Sequence, residues 1–315
     1  MWNCLGMAQR SSYTCVLDAG KIAQLKSDLT ARGFMFRDDV PYTQFAAEHR
    51  GDKVNVAVYT SNKMVVQGKG TTDFVQFYLE PQLLGEAKLG YEHILNPEML
   101  EPRIGVDESG KGDFFGPLVV AGVYVNAEAV SAFEELGVKD SKAISSDKRI
   151  FEIAKGIRET KGCRWSVVPI GPEAYNRLYL KFRNVNSLLG WGHARVIENL
   201  LGVVDCKKAI SDQFGNKSIV LRALMERGKK IELVQRHKAE SDLAVAAASI
   251  IARDEFVRRL RMLGRECGVE LPKGASKAVE EAGRALVAKS GPTALAKVAK
   301  MHFRTSQKVL QGEIL

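Results

Sequence analysis

Cysteine and long apolar runs are both scarce in this sequence, and each shortage excludes something. The five cysteines, at 4, 15, 163, 206 and 267, form no CxxC pair. An odd, scattered set argues against a disulfide framework, so the thiols are expected to be reduced and the protein cytoplasmic. No stretch approaches the roughly 18 uncharged apolar residues that span a bilayer, so no membrane role is expected. The opening residues, MWNCLGMAQRSSYTC, lack the apolar run of a secretory signal. Internal repeats, heptads and low-complexity segments are missing too, and no amphipathic stretch is left without an assignment. A monomer is the expectation.

What is present is an uneven charge. Over the 315 residues the formal net charge is +9. Residues 1–100 hold ten Lys/Arg against eleven Asp/Glu, and residues 101–315 hold 36 against 26. The second part suits a polyanionic partner, although many soluble proteins are basic for no such reason.

Texture divides the chain in the same way. KIAQLKSDLTARGF sets Ile22, Leu25 and Leu29 on one helical face, with Gly33 suited to end the helix. Short alternating runs follow: YTQFAAEH, KVNVAVYT and KMVVQ, each closed by turn residues. Val54, Val56 and Val58 fall on one face, which predicts a half-exposed antiparallel meander backed by a helix, a small α+β domain. QLLGEAKLGYEHILNPEML, 82–100, has weak periodicity and reads as a connector. The expected organisation is therefore a domain over 1–85, a linker over 86–100 and a second domain over 101–315.

In that second domain LVVAGVYV, RWSVVPI, KKAISD and KIELVQRH read as strands. SSDKRIFEIAKGI reads as a helix capped by Ser146, with Ile150, Ile153 and Ile157 inward. SLLGWGHARVIENLL and DLAVAAASIIARDEFVRRL read as further helices. Helices intermixed with buried strands predict an α/β domain with a mixed sheet.

One stretch invites a specific chemistry. In GVDESGKGDFFG, Gly105, Gly110 and Lys111 fit the start of a phosphate loop, G-x-x-x-x-G-K followed by Ser or Thr. Gly112 stands where the hydroxyl should be, and Asp107 and Glu108 occupy the path of a triphosphate. No nucleotide cofactor is expected. Acids recur at other strand ends: Asp212 closes KKAIS, and Glu240 lies between ELVQRH and the long helix. Strand ends are where α/β sheets build sites, and four converging carboxylates would suit hard divalent cations and in-line attack on a phosphodiester. Gly110-Lys111-Gly112 would let backbone approach a sugar–phosphate edge and meet a 2′-hydroxyl. Bland readings stand beside these. An Asp-Glu pair is common on wet surfaces, Asp212 suits a turn, and Glu240 suits the first turn of a helix.

DESGKGDFFGPLVVAG closely resembles the signature of type 2 ribonucleases H, and its Glu-Ser-Gly-Lys-Gly-Asp form resembles the HIII members. KDSK, NVNSLLGWGHARVIENL, ISDQFG, HKAESDLAVAAASIIARDEF, LPKGAS and KMHFRTSQK resemble further family elements in the expected order, over roughly residues 100–310. The resemblance implies a ribonuclease H-like α/β catalytic domain preceded by a small TATA-box-binding-protein-like domain. It implies endonucleolytic cleavage of the RNA strand of RNA/DNA hybrids with two Mg²⁺ or Mn²⁺ ions, leaving 5′-phosphate and 3′-hydroxyl ends. Carried over by position, Asp107, Glu108, Asp212 and Glu240 are the catalytic, metal-binding acids, with Asp107 bridging both ions. Ser109, Gly110, Lys111 and Gly112 match the turn that reads the RNA strand, and Lys142 matches a lysine near the phosphates.

Three neighbours receive other readings. His193 shares a helical face with Leu189 and Ile197 and is assigned to packing, and Asp113 is assigned to shaping the turn. His237 is left open between structure and site. The rivals are ribonuclease HII, a non-catalytic nucleic-acid binder of the same fold, and a phosphate-loop nucleotidase. The Lys111 turn, Glu240 and the added N-terminal domain argue against the first. Four intact acid positions argue against the second, and Gly112 with the paired acids against the third.

Overall fold

The computed structural model describes residues 12–85, 97–138, 141, 144–216 and 218–311. It divides into two compact units, Met1–Met99 and Leu100–Leu315.

In the first unit the order is β1 (Ser12–Val16), α1 (Ala19–Ala31), β2 (Met35–Arg37), β3 (Thr43–His49), β4 (Val54–Tyr59), β5 (Lys63–Gln67) and α2 (Thr71–Phe74). The last continues as a wider π-helix over Val75–Leu84. The strands form one antiparallel sheet in the order β1-β5-β4-β3-β2. Alternation along β4 buries Val54, Val56 and Val58 together with Ile22, Leu25 and Leu29 of α1. The Asp18 side chain caps α1 by accepting from the Lys21 amide at 2.8 Å. Beyond α1, Gly33 turns the chain with φ +78°. The sequence pattern marked the meander, but it passed over β1, β2 and the helix after Gly70. Val75, Tyr78, Leu79 and Leu83 of that helix are buried in the same core. Gln82–Leu84, read as connector, completes the helix, and 86–96 lie outside the described residues.

The second unit runs β6 (Arg103–Ser109), β7 (Leu118–Val125), α3 (Ala127–Glu135), α4 (Asp147–Glu159), β8 (Arg164–Ile170), α5 (Pro172–Phe182) and α6 (Val185–Leu201). It continues with β9 (Lys208–Asp212), α7 (Ser218–Ala223), β10 (Glu232–Arg236), α8 (Leu243–Cys267), α9 (Lys277–Ser290), α10 (Leu295–Val298) and α11 (Arg304–Leu310). Its sheet has the order β10-β9-β6-β7-β8. β10, β9 and β6 are mutually parallel neighbours, whereas β7 pairs antiparallel with both β6 and β8.

Period-two alternation splits β7 between two cores. Val119, Ala121, Val123 and Val125 pack with α3, α4 and α8, while Leu118 and Val120 pack with α6. Two strand glycines let the covering helices lie close to the sheet. A Cβ on Gly105 would fall 2.1 Å from the Ala244 backbone of α8, and one on Gly122 would fall 2.2 Å from Val196 of α6. Gly105 is thus a helix-packing glycine rather than the first residue of a phosphate loop.

Candidate active site

Parallel pairing places the carboxyl ends of β6, β9 and β10 side by side. Val106 lies opposite Ser211 in the β6–β9 register, so Asp107 and Asp212 follow as the next residues on adjacent strands. Arg236 stands opposite Asp212 in the β9–β10 register. Just beyond it, the turn Ala239–Ser241 carries Glu240 to the start of α8.

Adjacent residues of a strand face opposite ways, and the two neighbouring acids obey this. Asp107 points to the α8 side, where Ser249 donates to it, and its Oδ1 also accepts from the Glu108 amide at 2.8 Å. Ser249 Oγ in turn lies 2.7 Å from Ser141 Oγ, within the KDSK stretch. Glu108 points to the α6 side. There its Oε2 lies 3.1 Å from Nε2 of the fully buried His193, whose Nδ1 is 3.0 Å from Ser211 Oγ. The other carboxylate oxygen of Glu108 is 3.7 Å from Lys111 Nζ. Phe214 completes this side, with its ring 4.8 Å from that of His193 and 5.6 Å from the Lys111 ammonium.

Electrostatics single out Asp107. Burial first, then the negative charges of Glu108 and Asp212, push its carboxyl up to about 7, against the opposing hydrogen bonds. Asp212 Oδ1 accepts from the Ala239 amide at 3.3 Å, which ties the turn bearing Glu240 to the end of β9. Asp242, two residues on, has a different use. It caps α8 by accepting from Ala244 N at 2.9 Å and pairs with buried Arg103 at 2.8 Å. The carboxylates of Asp107, Glu108 and Asp212 each lie beside protein donors. Among the described residues no three His, Cys, Asp or Glu side chains are posed as a ready metal cage.

The turn after β6 is half inside and half outside. Ser109 still pairs with Val119. Gly110 is buried with φ +89°, and a Cβ there would fall 2.3 Å from the Pro117 carbonyl, so only glycine fits. Lys111 and Gly112 are exposed, and a Cβ on Gly112 would meet nothing within 4 Å. Asp113 holds the turn against a remote loop, its Oδ1 accepting from the Gly274 amide at 2.6 Å. Lys142 lies outside the described residues, and His237 is exposed.

The packing assignment for His193 holds for its ring but leaves out its polar contacts. Its ring is buried as expected, but both nitrogens face polar partners, one of them an acid of the candidate site. Only the 3.6-residue pattern of α6 was available in the sequence, and it cannot show what a neighbouring strand presents to that face. Ser211 and Ser249 went unremarked for the same reason.

The ribonuclease HII family profile matches residues 104–306. Ribonuclease HIII of Protochlamydia amoebophila is 43% identical over 305 residues, covering 96% of this chain and 98% of the relative. Ribonuclease HIII of Chlamydia trachomatis serovar L2 is 42% identical over 306 residues, covering 95% and 98%. Among solved structures, Bst-RNase HIII in complex with Mn²⁺ matches with a TM-score of 0.65 at 29% identity, covering 96% of this chain and 98% of that one. With its mixed sheet, its N-terminal antiparallel sheet and near full-length identity above 40%, the chain belongs to the ribonuclease HIII family.

Proposed function

We propose that Asp107, Glu108, Asp212 and Glu240 carry the family's reaction, endonucleolytic cleavage of the RNA strand of RNA/DNA hybrids. The observation that carries this reading is the placement of Asp107, half-buried, next to Glu108 on its own strand and beside Asp212 at the end of the adjacent parallel strand, where burial and the two acids push its carboxyl up to about 7. Such crowded negative charge is relieved either by a proton or by a cation, and oxygen-only donors suit hard Mg²⁺ or Mn²⁺. Two such ions would supply the Lewis acidity for in-line attack by water and for departure of the 3′-oxygen, leaving 5′-phosphate and 3′-hydroxyl ends.

The chain's own residues do the rest. Asp107, next to Glu108 and Asp212, would hold such ions together with them. Glu108 is steered by His193 and Lys111, so its carboxylate has a fixed direction before any substrate arrives. Asp212 and Glu240 close the site from β9 and from the turn before α8. Gly110, Lys111 and Gly112, with Ser109 at their base, present backbone and one ammonium to the RNA strand. A Cβ on Gly112 would meet nothing within 4 Å, which leaves its backbone open to a close approach by a 2′-hydroxyl. Lys142 serves a phosphate in this reading.

The N-terminal domain, residues 1–85, is read as the TATA-box-binding-protein-like unit that extends the grip on the hybrid, ahead of a linker over 86–100 and a catalytic domain over 101–315. The protein acts as a cytoplasmic monomer without a nucleotide cofactor. No helix among the described residues is long and apolar enough to cross a membrane.

The test compares two end-labelled substrates with magnesium: a continuous RNA/DNA hybrid, and duplex DNA with one ribonucleotide. Multiple cuts in the hybrid with little action on the lone ribonucleotide are expected. Efficient cutting at the lone ribonucleotide would assign the HII specificity instead, and binding without cleavage would favour a non-catalytic binder.

A further inference from the structure

The C-terminal element KMHFRTSQK holds a side chain that the acid chemistry leaves unused. Lys300 is fully buried. Its Nζ donates to the backbone carbonyls of Asp113, at 2.7 Å, and Phe115, at 3.3 Å. The Tyr175 ring of α5 lies 5.9 Å away. Backbone bonds join the same segments. Lys300 N donates to the Phe114 carbonyl at 2.9 Å, Gly116 N to that of Val298 at 2.8 Å, and Phe114 N to that of Gly274 at 2.8 Å. The Lys300 segment is itself anchored by Asn176, whose Nδ2 donates to the carbonyls of Ala296 and Ala299 and whose Oδ1 accepts from Met301 N.

The stretch that leaves the Gly110–Gly112 turn is therefore gripped from two remote parts of the chain. Asp113 N donates back to the Gly110 carbonyl at 3.3 Å, so the grip reaches the turn itself. A buried ammonium is costly unless it is well hydrogen-bonded. A methionine would fill much of the same space beside Tyr175 without that cost. What a methionine could not do is hold two carbonyls.

We propose that Lys300 is a positioning residue for the Gly110–Gly112 turn, fixing the carbonyls that follow it so that the turn meets the RNA strand in one conformation. This rests on the reading of that turn as the element that touches RNA. Lys300 is distant in sequence from the turn and touches none of the four acids in the contacts described, so it acts on binding geometry rather than on the chemical step.

The grip should also depend on pH. Burial lowers the Lys300 ammonium to about 7, partly opposed by Asp113. The titratable and charged groups facing it are Asp113 from the turn, Tyr175 from α5, and His302 on its own segment. Below about 7 the ammonium is charged and holds its carbonyls most strongly, and above it the neutral amine holds them less.

Two measurements on the full-length chain test this. In the wild type, hydrogen exchange at the amides of Asp113, Phe114 and Gly116 is compared at pH 6 and pH 8.5, corrected for intrinsic exchange. Protection should fall roughly tenfold at the higher pH, and unchanged protection would overturn the proposal. The second measurement uses Lys300→Met, once its melt and circular dichroism match a folded chain. The KM for a continuous hybrid should rise about tenfold with kcat within roughly threefold, the deficit being larger at pH 6. Faster exchange in the turn with an unchanged KM overturns the positioning role and places the failure in the reading of the turn as an RNA contact. A loss confined to kcat overturns it as well. If the variant does not fold, the wild-type exchange decides alone.

Discussion

In the N-terminal sheet every pair of neighbouring strands runs antiparallel, whereas in the C-terminal sheet β10, β9 and β6 run parallel. The fate of the acids follows from that difference. Antiparallel strands alternate their ends, so Asp39, Glu48 and Asp52 meet local arginine or histidine side chains instead of one another. Arg37 bonds Asp39 at 2.6 Å and Glu48 at 2.9 Å, Arg50 bonds Glu48 at 3.1 Å, and His49 lies 2.9 Å from Asp52. The carboxyls of Asp39, beside Arg37, and Glu48, beside Arg50 and Arg37, are held below their ordinary range. Parallel strands bring like ends together, and there Asp107 is driven the other way, by burial and by acids on its own and the adjacent strand. A carboxylate matched to a cation in advance is finished as a binding group. One crowded by other carboxylates still calls for positive charge.

The largest effect that would separate the two regions is on turnover. On the proposed role of Asp107, Asp107→Asn should lower cleavage by about a thousandfold or more while hybrid binding changes little, since a metal-holding acid would be lost but the phosphate contacts would not. Single-turnover cleavage and a filter-binding titration check this, and near-normal cleavage would remove Asp107 from the site. Next comes the N-terminal region. Deleting residues 1–85 should weaken hybrid affinity by about tenfold or more, with little change in kcat at saturating substrate. An unchanged Kd would leave that region without a role in grip.

The smallest effect is on stability. The Asp107 carboxyl is raised in the folded chain, so with chelator present the folded state binds more protons than the unfolded one between about 4 and 7. Its contribution is fully present at low pH and is lost as pH rises through about 7. Ion-free wild type should therefore lose thermal stability from pH 5 to pH 8, and Asp107→Asn should lose less. The difference should be a few degrees, at about 2–4 °C per kcal/mol for a domain of this size. Magnesium should restore the wild type more than the variant. Parallel melting curves for the two proteins in chelator would refute this account.

Much of the chain was legible before folding because its patterns are local. The apolar alternation of LVVAGVYV, the 3.6-residue spacing of Ile150, Ile153 and Ile157, and the cap at Ser146 each lie within one element. β1, β2 and the helix through Leu84 were less legible. The strands are short and, like Met35–Arg37, mostly exposed, and the helix contains Pro81, which weakens any sequence signal for it.

The candidate site divides along the same line. Asp107, Glu108, Asp212 and Glu240 became candidates because each sits at a strand end or turn, and their proposed roles were carried over from the family resemblance. Their arrangement could not be picked out, because it depends on β6 lying beside β9 and on which helix covers each face. That placement turned Glu108 toward His193 and Asp107 toward Ser249, and set Lys300 beneath the turn of Gly110. Sequence alone determined the division of charge and those elements whose pattern is strong within a few positions, and it marked the acids as candidates. Only the tertiary structure decided which groups meet across 85 or 187 residues of chain. A side chain's electrostatic state depends on the neighbours that packing brings to it, and those neighbours are far away in sequence.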